Sequence, residues 1–172
     1  MVKIKAQLTI QYLASFIFFV GLVVLIYLSF SANIPRFVEE VNKEDTRSKA
    51  YQLSEILIND PGYPIYWSDT NVERIGLSDN SNKSNLIGLN KLEEFNAICS
   101  NPNGFYTVQK KLGLNRSFSI FIFNITDDGS RYPLASCSPS VFPKSVINAT
   151  VKRITGLNNQ GKIELVEVIV QM

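Results

Sequence analysis

The chain has 172 residues, with 17 Lys and Arg against 15 Asp and Glu, and it contains no histidine. The missing imidazole excludes a Ser-His-Asp triad, a Cys-His dyad and any His-ligated zinc site. Lys3 and Lys5 account for the whole net charge of +2, so the rest of the chain is neutral, which argues against nucleic-acid binding.

No residue between Lys5 and Arg36 is charged. Residues 12–30 read YLASFIFFVGLVVLIYLSF, interrupted only by Ser15, Gly21 and Ser29. At ~1.5 Å per helical residue this run spans roughly 28 Å, the thickness of a bilayer's hydrocarbon layer. Backbone groups in lipid must bond within their own segment, so the run is predicted to be a transmembrane helix over residues 7–32. Lys3 and Lys5 precede it with no acidic companion, whereas Arg36 is accompanied by Glu39 and Glu40. The positive-inside rule then puts the amino terminus in the cytoplasm and the head outside, as a single-pass membrane protein. A small-x-small match at Ser29, Phe30 and Ser31 offers a second reading, a secretory signal cleaved to release a soluble domain.

The opening is MVKIKA, then QLTIQ, then the apolar run. A basic leader ends in the small residue Ala6, the polar Gln7 follows, and the hydrophobic helix comes after it. This order resembles the class III signal of type IV pilins, the archaeal version most closely. The resemblance implies that prepilin peptidase removes a leader of residues 1–6, recognised through Lys3, Lys5, Ala6 and Gln7. It further implies that the helix is retained as the assembly core of a filament. Such pilins commonly carry Glu at the fifth mature position. This chain has Gln11, which hydrogen-bonds but cannot form an ion pair with a neighbour's amino terminus, and an unpaired carboxylate in lipid would be costlier.

Pro35 predicts a kink or a short break at Ile34. Helical character resumes over residues 36–59, where Glu39 with Lys43 and Asp45 with Lys49 are acid-first i,i+4 pairs. Phe37 and Val41 form one apolar pair; Ala50, Leu53 and Leu57 form a later stripe with Ile56 beside it. The polar stretch between them predicts a helix exposed in its middle and packed on a head at its end, a helical stalk over residues 33–60. Asp60, Pro61 and Gly62 end it.

The head, residues 61–172, opens with Gly62, Tyr63, Pro64, Tyr66 and Trp67, a loop tied down by aromatic packing. Trp67 reads either as a lid over the small core or as a platform for a carbohydrate or a partner. Asn90 is placed to cap a helix from Lys91 to Cys99, and a second helix is expected over residues 104–111. The order Gly62, Pro64, Trp67, then Ile75-Gly76-Leu77, then Asn90-Lys91-Leu92, then Tyr106 and Lys111-Leu112-Gly113 also resembles archaeal pilin-like proteins.

Further on, residues 117–125 are apolar on both faces, which predicts an inner strand. Asp127, Asp128, Gly129 and Ser130 are turn residues, and residues 158–161 sit at the tip of a β-hairpin. The fold class predicted is α+β: a long N-terminal helix, membrane-spanning and then amphipathic, packed on a small antiparallel sheet of three or four strands with short helices.

Cys99 and Cys137 are the only cysteines. In an exported domain they read as one disulfide, the alternative being two reduced buried thiols. Four Asn-x-Ser/Thr sequons occur; Asn82, Asn115 and Asn148 are candidate glycosylation acceptors, and Asn124 falls inside the predicted inner strand. No Walker loop, Gly-x-Gly-x-x-Gly or nucleophile elbow is present, so no enzyme activity, cofactor or metal is expected. The function expected is a pilin-like subunit that meets the membrane, prepilin peptidase and other pilin-like subunits, with Gln11, Ser15 and Gly21 on its assembly helix. The alternative is an uncleaved, single-span extracellular binding or sensor module.

Overall fold

The computed structural model describes residues 2–79, 85–139 and 149–172, with side chains from residue 10 onward. Contacts divide the chain into two units, Met1–Asn42 and Lys43–Met172. One helix, α1 (Val2–Asn59), supplies the first unit and the opening of the second. Pro35 lies inside it, and the expected break at Ile34 does not occur. A proline removes one backbone donor, whereas the helix runs for many turns on either side of it, so cooperative hydrogen bonding carries through. Asn33 Nδ2 adds a bond to the Ser29 carbonyl at 2.8 Å in the same region.

Within Lys43–Met172, the end of α1 buries Thr46, Ala50, Leu53, Ser54, Leu57 and Ile58. Their three- and four-residue spacing lines one helical face. Ile56, expected beside this stripe, is exposed; Ile58 takes the core position. Thr46, in the stretch expected to be solvated, is covered because Arg116 Nη1 donates to its hydroxyl at 2.9 Å. The head unit thus begins well before residue 61, where the stalk was expected to end.

After α1 come β1 (Leu86–Gly88), α2 (Leu89–Ser100), α3 (Gly104–Lys111), β2 (Ser119–Ile125), β3 (Arg131–Cys137), β4 (Thr150–Asn159) and β5 (Lys162–Gln171). The α+β class holds. The sheet has five strands in the order β1-β4-β5-β2-β3, one more than the larger number expected, and it is mixed because β1 runs parallel to β4. β1 is too short for period 2 to reveal, and β3 carries Pro133, which reads as a breaker; as an edge strand with a register shift opposite Ile122 and Phe123 it tolerates the missing donor. β2 lies inside the sheet between β5 and β3, as its two apolar faces predict. The hairpin between β4 and β5 turns on Gln160 and Gly161, both at positive φ (50° and 95°), the two-residue turn whose twist suits the strands.

Ile120, Ile122, Leu157, Val166, Val168 and Val170 from the sheet meet Leu53 and Leu57 of α1 and Leu92, Phe95 and Ile98 of α2 in one core. Helix α2 begins one residue before Asn90, with Gly88 as its cap and no side-chain capping bond. The chain enters it straight from β1, leaving no loop residue for a side-chain cap. The Cys99–Cys137 disulfide is formed, joining α2 to β3 with its Cα atoms 5.2 Å apart.

Candidate functional site

In the first unit, the large apolar residues from Ile10 to Phe30 are solvent-exposed within the chain, and this part of α1 is long and apolar enough to cross a membrane. Gln11 and Ser15 lie one turn apart and share a face, whereas Gly21 points about a quarter of a turn away. A Cβ added at Gly21 would meet no heavy atom within 4 Å, so its surface is open. The backbone of Lys3, Lys5, Ala6 and Gln7 is helical, and their side chains lie outside the described residues. Beyond the apolar run, Ile34, Phe37, Val38 and Val41 continue an exposed stripe at helical spacing. Phe37 and Val41 are the apolar pair expected from the sequence; Ile34 and Val38 extend it because the helix continues through Pro35.

The head holds a cleft of about 470 Å³. Tyr66 from the aromatic loop, Asp79, Asn90 and Glu94 of α2, and Asn158 and Gln160 from the hairpin tip stand around it, with Trp67 in its lining. Trp67 is 4% exposed, and its Nε1 donates to the Gly76 carbonyl at 3.0 Å and the Pro61 carbonyl at 3.2 Å. It therefore acts as the packed lid of the two readings offered, pinning the loop from which Tyr66, 82% exposed, projects.

Lys91, also in the lining, is buried. Its Nζ donates to the Ser78 carbonyl at 2.9 Å and to the Pro61 carbonyl, tying α2 to both segments. Burial lowers its pKa from the ordinary lysine value, opposed by the charges of Asp79 and Asp60. Asn158 Nδ2 donates to Asp79 at 2.7 Å, and the Asp69 backbone N–H donates to Glu94 at 2.8 Å. Both carboxylates of the wall are thus engaged by the protein itself.

A second recess of about 550 Å³ lies between α1 and β4, with Arg47, Lys152 and Arg153 in its lining. Arg153 is committed within it: it stacks 5.1 Å over Tyr51 and donates to Glu55 at 2.8 Å.

Asn115 is exposed in the loop after α3, and Asn124 donates through its amide to Glu164 at 3.0 Å. Asn82 and Asn148 lie outside the described residues. No family model matches the chain, and neither a curated protein nor a solved structure matches it.

Proposed function

We propose that this chain is a type IV pilin-like subunit. Prepilin peptidase cuts between Ala6 and Gln7, and the helix from Gln7 packs against copies of itself or other pilin-like subunits in a surface filament or pseudopilus. Ser15 and Gly21 are the small residues at which neighbouring helices approach most closely. The head faces outward, available for adhesion or for contacts. It sits on the oxidising side of the membrane, where a disulfide such as Cys99–Cys137 persists.

One observation carries this reading. A single unbroken helix runs from within the basic leader to Asn59, with its apolar half uncovered by the chain and its other end buried in an α+β head. The uncovered half needs an apolar environment, which lipid supplies before assembly and sister helices supply after it.

Gln11 favours a second reading, an uncleaved single-span anchor for an extracellular binding module, since it lacks the charge that would register one helix on the next. Mass spectrometry of the amino terminus of protein recovered from native membranes separates the two. A terminus at Gln7 supports the subunit; Met1 supports the anchor and overturns processing; a terminus near Ala32 overturns both in favour of a released domain.

A further inference from the structure

The cleft described above sets one exposed aromatic over polar side chains. Most exposed large apolar residues of the head stand on strands or helices, whereas Tyr66 projects from a loop over a concave wall of polar side chains. Three of those side chains, Asn90, Asn158 and Gln160, are amides; Asn158 donates to Asp79, and an amide offers a donor and an acceptor side by side. A sugar hydroxyl also donates and accepts at once, and the C–H face of a pyranose ring lies flat on an aromatic ring. An exposed aromatic beside convergent amides and carboxylate acceptors therefore matches a sugar on both its faces.

Charge narrows the class. Asp79 and Glu94 stand in the wall, so an acidic sugar would be repelled. Both accept protein hydrogen bonds, Asp79 from Asn158 and Glu94 from the Asp69 N–H, and the buried Lys91 ammonium in the same lining offsets part of their charge, so a neutral ligand suits the cleft better than a cationic one. The backbone that carries the wall is also held in place before any ligand arrives. The Trp67 indole fixes the loop, the Lys91 ammonium ties α2 to the Ser78 and Pro61 carbonyls, and the two-residue turn sets Gln160. Such preorganisation reduces the ordering cost of binding.

We propose that this cleft binds a neutral carbohydrate, its ring stacked on Tyr66 and its hydroxyls held by Asn90, Gln160 and the accepting edges of Asp79 and Glu94. The proposal does not depend on filament assembly, since every residue in it belongs to the head.

Trp67 is the chain's one tryptophan and lines the cleft, so its emission reports occupancy. The full chain, in a detergent without a sugar headgroup, is titrated with glucose, galactose, mannose, N-acetylglucosamine and their β-linked disaccharides, and with glucuronate and glucosamine as the charged controls. Saturation-transfer NMR on the same samples detects binding that leaves the emission unchanged. At least one neutral sugar is expected to bind at millimolar concentration. Tyr66→Ala should weaken that binding about tenfold. Tyr66 is 82% exposed, so its removal leaves the fold intact, to be checked by an unchanged thermal midpoint. Asn90→Ala, also at an exposed position, should weaken binding with the fold retained. No response to any sugar by either method overturns the proposal. So does binding that survives both substitutions, or a response confined to glucuronate or to a cationic amine.

Discussion

Replacing both Cys99 and Cys137 with alanine should destabilise the head by about 4 kcal/mol through the unfolded chain alone, because the bridge closes a segment of 38 residues. The folded state adds a smaller loss. Cys137 is 1% exposed and belongs to the core, and Cys99 packs against the core from its edge, so the missing sulfurs cost about 1 kcal/mol each at most. The sum, about 4–6 kcal/mol, is a large fraction of the stability of an ordinary domain. It corresponds to a fall of more than about 10 °C in thermal midpoint. The assay is guanidinium unfolding of the full chain in detergent, followed by the emission of the buried Trp67, with and without reductant. Reduction of the native chain should reproduce most of the alanine effect, since the entropic part needs only the broken bond. A loss below about 1 kcal/mol in both experiments would refute the argument that the bridge acts by restricting the unfolded ensemble. Alkylation of both thiols without reductant would refute the bridge itself.

Three further substitutions test other links in the argument. At Gly104, an added Cβ would overlap the Ile98 carbonyl oxygen, so Gly104→Ala must move the turn between α2 and α3; a loss of about 3 kcal/mol is expected by denaturant titration, and a change under about 1 kcal/mol would show that the turn yields freely. The Asp128 carboxyl has its pKa lowered to about 2, first by the Thr126 hydroxyl and then by the backbone and side chain of Ser130. Its contribution to stability is therefore present above the ordinary value of 3.8 and is lost as pH falls through about 2. Asp128→Asn should flatten the thermal midpoint's acid dependence in that window, and an unchanged slope would show that the turn's hydrogen bonds are not maintained in solution. Finally, Ala6→Trp places a bulky side chain at the proposed cut. Loss of the processed form on an intact-mass spectrum is expected, while an unchanged product would exclude prepilin peptidase.

The uncovered first unit and the packed second unit make different demands on one helix. From Ile10 to Phe30 nearly every residue is apolar, so no single face is distinguished. At Ile34, Phe37, Val38 and Val41 the apolar residues are confined to a stripe, with Arg36, Glu39 and Glu40 outside it. At Thr46, Ala50, Leu53 and Leu57 the stripe becomes a buried seam. The apolar residues thus pass from covering the whole helix to a single exposed stripe and then to a seam buried in the protein core.

The amino-acid sequence by itself determined the features whose cause is local. A charge-free run long enough for lipid makes the apolar helix, because unpaired backbone groups and charges are costly there. The Ala50, Leu53 and Leu57 stripe, helix α3, the inner strand β2 and the hairpin at Gln160 and Gly161 were legible for the same reason. Each rests on a period or a turn conformation contained within a few residues. Two cysteines in a head of this kind pointed to their bridge. Tertiary structure alone decided the rest. Gly88, not Asn90, starts α2 because the parallel ladder of β1 on β4 delivers the chain there. β3 accepts Pro133 because it lies at the sheet's edge. The cleft joins Tyr66, Asp79, Asn90 and Gln160, which no spacing in the chain relates. They meet because Trp67 and Lys91 fasten the loop to α2, and because the pairing of β1 with β4 brings the hairpin tip to the same end of the sheet.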